Sequence, residues 1–119
     1  MIPPLTPMIA TGIPFAGRGD IAQWTAIYQA LAPQIAGIRR FGAAALDLAW
    51  VAAGRFDGFW EEDLNLWDIA AGIVLVREAG GYVTDFRGGD AGVAGGQVLA
   101  ANDQLHNRLH KLVAGALRS

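Results

Sequence analysis

Apolar patterns of strand type and of helix type alternate along the whole chain. Strands are predicted at residues 8–11, 35–41, 56–62, 82–86 and 97–101. The stretches between them carry apolar residues at helical spacing, as in the stripe of Ile21, Trp24, Ile27, Tyr28 and Leu31. Such alternation is typical of a layered α/β fold. We therefore predict one domain over residues 1–119, with about five strands in a mixed sheet and helices on both faces.

Local signals predict where the helices begin and end. Asp20 is expected to cap a helix over 21–31, which Pro33 helps to end, and Asp103 to cap the last helix. Gly54 is expected to close a helix over 43–53. A further helix beginning at Trp67–Asp68 is apolar on nearly every side, which predicts that it is sandwiched between other layers. The glycine-rich stretch 88–96 is predicted to be a loop.

The chain is unusually apolar for its size. Hydrophobic residues make up 53% of the 119 residues and charged residues 17%, against averages of roughly 45–50% and about 25%. Such an excess predicts that one surface is covered, either by a further domain or by a second copy. We therefore expect a homo-oligomer.

Charge and cysteine usage exclude several classes of function. A net charge of −2 and a pI near 5.5 provide no basic field for a phosphate backbone, so a nucleic-acid partner is not expected. The absence of cysteine excludes disulfides, zinc–thiolate sites and thiol nucleophiles. No apolar run reaches the roughly 18–20 residues of a membrane span, and the N-terminus lacks signal-peptide features. A cytoplasmic protein without membrane association is expected.

Two motifs, with a shorter segment before them, carry a specific resemblance. Trp67-Asp68 is followed by Ala70-Ala71-Gly72, and then by Glu78-Ala79-Gly80-Gly81, while residues 10–15 read Ala-Thr-Gly-Ile-Pro-Phe. This pattern resembles the C-terminal signature of the inositol monophosphatase family. The resemblance implies the C-terminal half of the sugar-phosphatase fold. It also implies magnesium-dependent hydrolysis of inositol-1-phosphate to inositol and phosphate.

Two acids are candidate site residues. A carboxylate at a helix start, as predicted for Asp68, is held near unpaired N–H groups and the positive end of the helix dipole. Taken alone, Asp68 is more simply a helix cap, and Glu61 is an exposed acid at a strand end. The resemblance implies instead that Asp68 binds a catalytic Mg²⁺ and contacts a substrate hydroxyl. It also implies that Glu61, seven residues earlier, accepts hydrogen bonds from substrate hydroxyls.

Small residues open the helix predicted over 43–53. Gly42 would let a ligand approach bare backbone amides, and the resemblance implies that Gly42, Ala43 and Ala44 face the sugar ring. The family commonly has Ser or Thr where this chain has Ala43, so a hydroxyl is missing. Close packing of a small-residue helix on the sheet explains Ala43 and Ala44 equally well. Asp47 is expected to make a structural hydrogen bond inside the layer.

His106 and His110 lie one helical turn apart and could share a metal ion. No third ligand is near them in sequence, so a solvated helix flank is the favoured interpretation.

A complete magnesium site needs more ligands than these motifs supply. Mg²⁺ takes about six oxygens, and the resemblance places the other carboxylates in an Asp-Pro-x-Asp-Gly-Thr motif and an earlier Glu, both in an N-terminal half. This chain contains no such motif. We therefore expect a missing N-terminal domain as its partner, weak or absent Mg²⁺ binding, and no hydrolysis by the chain alone.

Two alternatives to the inositol phosphatase remain open. One is a non-catalytic dimerisation or interaction module with the same fold. The other is a related phosphatase that acts on histidinol phosphate, fructose bisphosphate or a nucleotide phosphate.

Overall fold

A computed structural model describes residues 7–12, 20–39 and 43–117. The strands are β1 Met8–Thr11, β2 Gly37–Arg39, β3 Gly58–Glu61, β4 Gly81–Thr84 and β5 Val98–Asn102. The helices are α1 Ile21–Leu31, α2 Ala44–Ala52, α3 Leu66–Glu78, α4 Ala91–Ala94 and α5 Asp103–Leu117, with a 3-10 turn at Ala32–Gln34.

The five strands form one mixed sheet in the order β2-β1-β3-β5-β4. Strand β1 lies between β2 and β3 and is parallel to both. Strand β5 lies between β3 and β4 and is antiparallel to both. The predicted mixed sheet of about five strands is confirmed.

Helices cover both faces of the sheet, also as predicted. Because strand side chains alternate between faces, Ala10 belongs to the core cluster under α2 and α3, while Ile9 belongs to the cluster under α1 and α5. Leu48 and Ile73 are buried in the first cluster, and Ile27 and Leu109 in the second. Among the described residues, none of the helices combines the length and the apolar character that a membrane span requires.

Local capping signals predicted some helix ends correctly and missed others. The Asp20 carboxylate accepts from the N–H of Gln23 (3.0 Å), and α1 has the predicted bounds. The prediction that Asp103 caps α5 was wrong, because Asp103 is the first residue of that helix. Asn102 takes the capping role, since its Oδ1 accepts from the N–H of Leu105 (3.0 Å).

The glycine-rich stretch is ordered by one buried acid. The Asp85 carboxylate accepts hydrogen bonds from the backbone N–H groups of Arg87, Gly89 and Gly92, each at 2.9 Å. Burial raises the pKa of Asp85, but the three donors outweigh it and hold the pKa below its usual value. The segment predicted as a loop therefore folds tightly and includes the short helix α4.

Helix α3 buries only one of its faces within the described chain. Ile69, Ile73 and Val76 pack on the sheet, and Gly72 lies so close to α2 that a Cβ there would stand 2.7 Å from the Cβ of Leu48. The opposite face is exposed, and the indole of Trp67 is 80% accessible. The prediction that α3 is sandwiched was therefore wrong for the described residues.

Candidate functional site at the carboxyl ends of the parallel strands

The chain leaves neighbouring parallel strands toward opposite faces of the sheet. After β1 it leads to α1 on one face, and after β3 it leads to α3 on the other. Such a switch point opens a crevice outside the carboxyl ends of the strands, where α/β proteins commonly bind ligands. The crevice between the ends of β1 and β3 is therefore the candidate site.

Glu61 lies in this crevice, at the last position of β3. Its carboxylate lies directly against Gly12, the residue after β1, so that a Cβ at position 12 would overlap the carboxylate atoms. Only a residue without a side chain leaves room for Glu61 at this place. Sequence reasoning named Glu61 but missed Gly12, although a glycine directly after a parallel strand is a signal for close approach.

Thr11 joins the two strands and helix α1 beside the crevice. Its buried hydroxyl donates to the carbonyl oxygen of Trp60 (2.8 Å) and accepts from the indole N–H of Trp24 (3.2 Å). Glu62 makes a second link, since its Oε1 accepts from the backbone N–H of Asp20 (3.0 Å) at the start of α1. These contacts fix the strand end that carries Glu61.

Asp68 is the third residue of α3, in its first turn, and it is exposed. The helix begins at Leu66, one residue before the predicted start at Trp67–Asp68, and its N-cap residue Asn65 makes no side-chain capping bond. Asp68 therefore lies at the positive end of the helix dipole, where an ionised carboxylate is favoured.

The start of α2 belongs to the same helix layer. Ala43 is its exposed N-cap residue and makes no side-chain capping bond, and Ala44 is its first residue. Gly42, the third predicted member of this turn, lies outside the described residues. Because Ala43 has no hydroxyl, the first N–H groups of α2 receive no capping bond from that side chain.

The described residues do not make a complete metal site. No group of three or more His, Asp or Glu side chains among them could hold a metal ion. A magnesium ion with about six oxygen ligands does not fit the residues present, since Asp68 and Glu61 supply only part of such a set.

Asp47 differs from its prediction. It is buried in α2 at 1% exposure, yet its Oδ1 has no hydrogen-bond partner among the described residues. The predicted structural hydrogen bond is therefore absent at this atom. Burial raises the pKa of Asp47 to about 6, because the surroundings favour the neutral carboxyl.

His106 and His110 lie side by side on α5, but their surroundings differ from those predicted. His106 is buried, and its Nε2 lies 2.8 Å from the Thr84 hydroxyl, so the expected solvated flank is wrong for this residue. The ring of His110 stacks on it at 6.3 Å between centroids. Burial, with the neighbouring charge of His110, holds the pKa of His106 below its usual value.

The fold and site define an α/β protein with an acidic crevice at a switch point of its parallel strands. The model of the inositol monophosphatase family matches residues 6–119, and the chain belongs to that family. It is 48% identical over 103 residues to the inositol-1-monophosphatase of Caulobacter vibrioides. It is 45% identical over 104 residues to the Nus factor SuhB of Pseudomonas aeruginosa.

Solved structures show the same fold. The extragenic suppressor protein suhB of Bartonella henselae superposes with a TM-score of 0.86 at 44% identity. That match covers 92% of this chain and 42% of the Bartonella chain. The Caulobacter match covers 86% of this chain and 40% of the relative, and the Pseudomonas match covers 86% of this chain and 38% of the relative. The chain therefore spans about two fifths of the length of the relatives it matches.

Proposed function

We propose that this chain is the C-terminal part of a magnesium-dependent phosphomonoesterase that converts inositol-1-phosphate to inositol and phosphate. Asp68 is the residue that would bind one magnesium ion and contact a substrate hydroxyl. Glu61 would accept hydrogen bonds from further hydroxyls of the ring. Two observations support the proposal together. The Glu61 carboxylate lies directly against Gly12 at the switch point, and the chain belongs to the inositol monophosphatase family.

The start of α2 would form the surface on which the sugar ring of the substrate binds. Its first backbone N–H groups and its exposed Ala43 offer a small, weakly polar surface, which suits close approach of a ring and its hydroxyls. A serine or threonine hydroxyl at position 43 would add one more polar contact. We expect Ala43→Ser to change the preference among sugar phosphates more than the rate on inositol-1-phosphate.

The metal chemistry needs residues beyond those described. Bound magnesium would activate water and neutralise the charge that develops on phosphate and leaving group. Asp68 and Glu61 do not make a six-oxygen shell, so we propose that a carboxylate-rich domain supplies the rest. The isolated chain is expected to bind magnesium weakly and to show no turnover.

A chimera tests this proposal. The 103 matched residues of the Caulobacter relative are replaced by those of this chain, and release of phosphate from inositol-1-phosphate is followed with millimolar magnesium. We expect turnover by the chimera, and a loss of at least 100-fold on Asp68→Asn. Calorimetric titration with magnesium should show weaker binding by the same variant.

Asp63→Asn is the matched control, since Asp63 is an exposed acid in the loop that precedes α3. It should retain the rate of the chimera. Full activity of the Asp68→Asn chimera, or clear turnover by the purified 119-residue chain alone, would contradict the proposed role. Histidinol phosphate, fructose bisphosphate and a nucleotide monophosphate in the same assay separate the related phosphatases.

A second candidate is a non-catalytic interaction module. The exposed apolar face of α3 favours it, because such a face is unusual unless it meets a partner. The Pseudomonas relative is also named a Nus factor and not a phosphatase. An inactive chimera with intact magnesium binding would favour this candidate.

A further inference from the structure

A cavity lies between helix α5 and the turn that follows β4, on the face of the sheet opposite to α3. Its volume is about 500 Å³, and the described residues that line it are Arg87, His110, Lys111, Ala114 and Leu117. None of them belongs to the candidate site at the ends of β1 and β3. The cavity therefore has no part in the phosphatase chemistry proposed above.

A glycine turn brings the cationic side chains of this cavity together. Gly88 has a φ of 89°, which residues with a Cβ atom rarely adopt. A Cβ atom at this position would also stand 2.7 Å from Nε2 of His110. The turn therefore packs directly on the His110 ring, and it holds Arg87 beside the part of α5 that carries Lys111.

The cavity is basic, although the whole chain has a net charge of −2. Arg87 and Lys111 are both exposed, and no carboxylate is found among the described residues that line the cavity. Asp85 interacts electrostatically with Arg87, but its buried carboxylate already accepts three backbone hydrogen bonds. Two positive charges are therefore placed together at a concave surface without an acid in its lining.

One wall of the cavity is apolar. Ala114 and Leu117 follow His110 at intervals of four and three residues, so the three side chains lie on one side of α5. Both apolar residues are half-buried and line the cavity with the cations. A ligand that matches this lining combines an anionic group with an apolar body.

We propose that this cavity binds a small phosphate monoester with an apolar body. Arg87 and Lys111 supply two positive charges, which match the charge of about −1.5 to −2 that such a phosphate carries at pH 7. The guanidinium offers paired donors to phosphate oxygens, the ammonium adds a compact charge, and a ring nitrogen of His110 can donate a further bond. A monocarboxylate would balance only one of the two charges.

The size of the cavity and its position support a small ligand. A volume of about 500 Å³ lies within the range of roughly 300–1,000 Å³ that is typical of small-molecule sites. The exposed positions on α5 include Gln104 and Asn107, which suit contact with water. This side of the molecule therefore has the polar character of a surface that stays open to solvent.

Binding at this cavity is independent of the proposed phosphatase role. Helix α5 packs on one face of the sheet, while α3, which carries Asp68, packs on the other. The phosphate would be held by side chains alone, with no magnesium ion. Asp68→Asn should therefore bind the ester like the unchanged chain, so failure of one proposal does not imply failure of the other.

Titration with phenyl phosphate, without magnesium and with a chelator present, tests the site. NMR spectra of the 119-residue chain should show saturable shifts of the amide signals of Arg87, Gly88 and Lys111. Arg87→Ala should raise the Kd at least about tenfold, because it removes charge-assisted hydrogen bonds to the phosphate. Arg55→Ala is the matched control, since Arg55 is an exposed arginine in the turn after α2, in the other helix layer.

Matched ligands test the two halves of the proposed recognition. Benzoate keeps the ring but carries one charge, and inorganic phosphate keeps the charge but lacks the ring, so both should bind more weakly than phenyl phosphate. Leu117→Asn should weaken binding of phenyl phosphate and leave that of inorganic phosphate unchanged. Circular dichroism would verify that the variants fold.

The same titration of the chimera tests whether the cavity stays open when the rest of the longer relative is present. We expect the same Kd for the chimera and for the chain alone. Absence of saturable shifts at millimolar phenyl phosphate, an equal Kd for Arg87→Ala and Arg55→Ala, tighter binding of benzoate, or loss of binding in the chimera would overturn the proposal.

Discussion

Replacing Asp47 by asparagine removes a buried charge while keeping the shape of the side chain. Asp47 is 1% exposed and its Oδ1 has no hydrogen-bond partner among the described residues. Burial raises its pKa from 3.8 to about 6 in the folded protein. Between these values the folded state keeps a proton that the unfolded state has released, so the free energy of unfolding falls as pH rises through this window.

The size of the effect follows from the same pKa. A shift of about two units corresponds to about 3 kcal/mol of unfolding free energy at pH 8. The buried amide of asparagine would add donors without partners, which offsets about 1 kcal/mol of the gain. We therefore expect Asp47→Asn to raise the free energy of unfolding by about 2 kcal/mol at pH 8, and to lose this advantage below pH 4.

Urea unfolding followed by circular dichroism at pH 4, 5, 6, 7 and 8 measures this difference. Both proteins are compared at one protein concentration, so that self-association affects them equally. Asp85→Asn is the control, because Asp85 is also buried (8% exposed) but accepts three backbone N–H bonds, and asparagine there should destabilise the protein. A difference between the unchanged chain and Asp47→Asn that stays constant from pH 4 to 8 would refute the reasoning.

The remaining predictions concern three other positions. Gly12→Ala should lower the unfolding free energy by about 1–3 kcal/mol, because the new methyl group displaces Glu61, and Glu61→Ala in the same chain should restore most of this loss in urea unfolding. Asp85→Ala should also lower the unfolding free energy. The unchanged chain has the contribution of the ionised Asp85 above pH 3.8 and loses it as pH falls through the lowered pKa of this carboxyl, so the variant should differ from it more at high pH than at low pH. Urea unfolding of the two proteins at pH 3 and at pH 7 measures this difference. The pKa of His106 is lowered in the folded state, so as pH falls below 6.5 the His106 ring is protonated in the unfolded chain before it is protonated in the folded protein. Protonation therefore favours the unfolded state in this range. His106→Gln should therefore reduce the loss of stability below pH 6.5, and an unchanged profile would contradict this.

Local signals predicted the elements whose ends are determined by neighbouring residues. Helix α1 has its predicted bounds because Asp20 caps it directly and Pro33 follows its end. Of the predicted strand 35–41, the described residues Gly37–Arg39 form β2 and pair with β1, residues 35 and 36 precede the strand, and residues 40 and 41 lie outside the described residues. Strand pairing joins residues far apart in sequence, so periodicity alone does not determine where it stops.

The sequence predicted which acidic residues belong to the candidate site, but not the contacts that hold them there. Glu61 and Asp68 were identified by resemblance, and their assigned roles stay predictions. The contact of the Glu61 carboxylate with Gly12 joins residues 49 positions apart, and no local sequence pattern predicts such a contact. The unpaired Oδ1 of Asp47 was missed for a similar reason, since a missing partner depends on everything that surrounds the layer.

The position of β5 has a consequence for how the chain is synthesised. It follows β3 and β4 along the chain, yet it lies between them and joins them. Until residues 98–102 emerge, the antiparallel side of the sheet has no central strand, and the edges of β3 and β4 remain open to other chains. Nascent chains that stall before this strand should therefore be the species that chaperones bind.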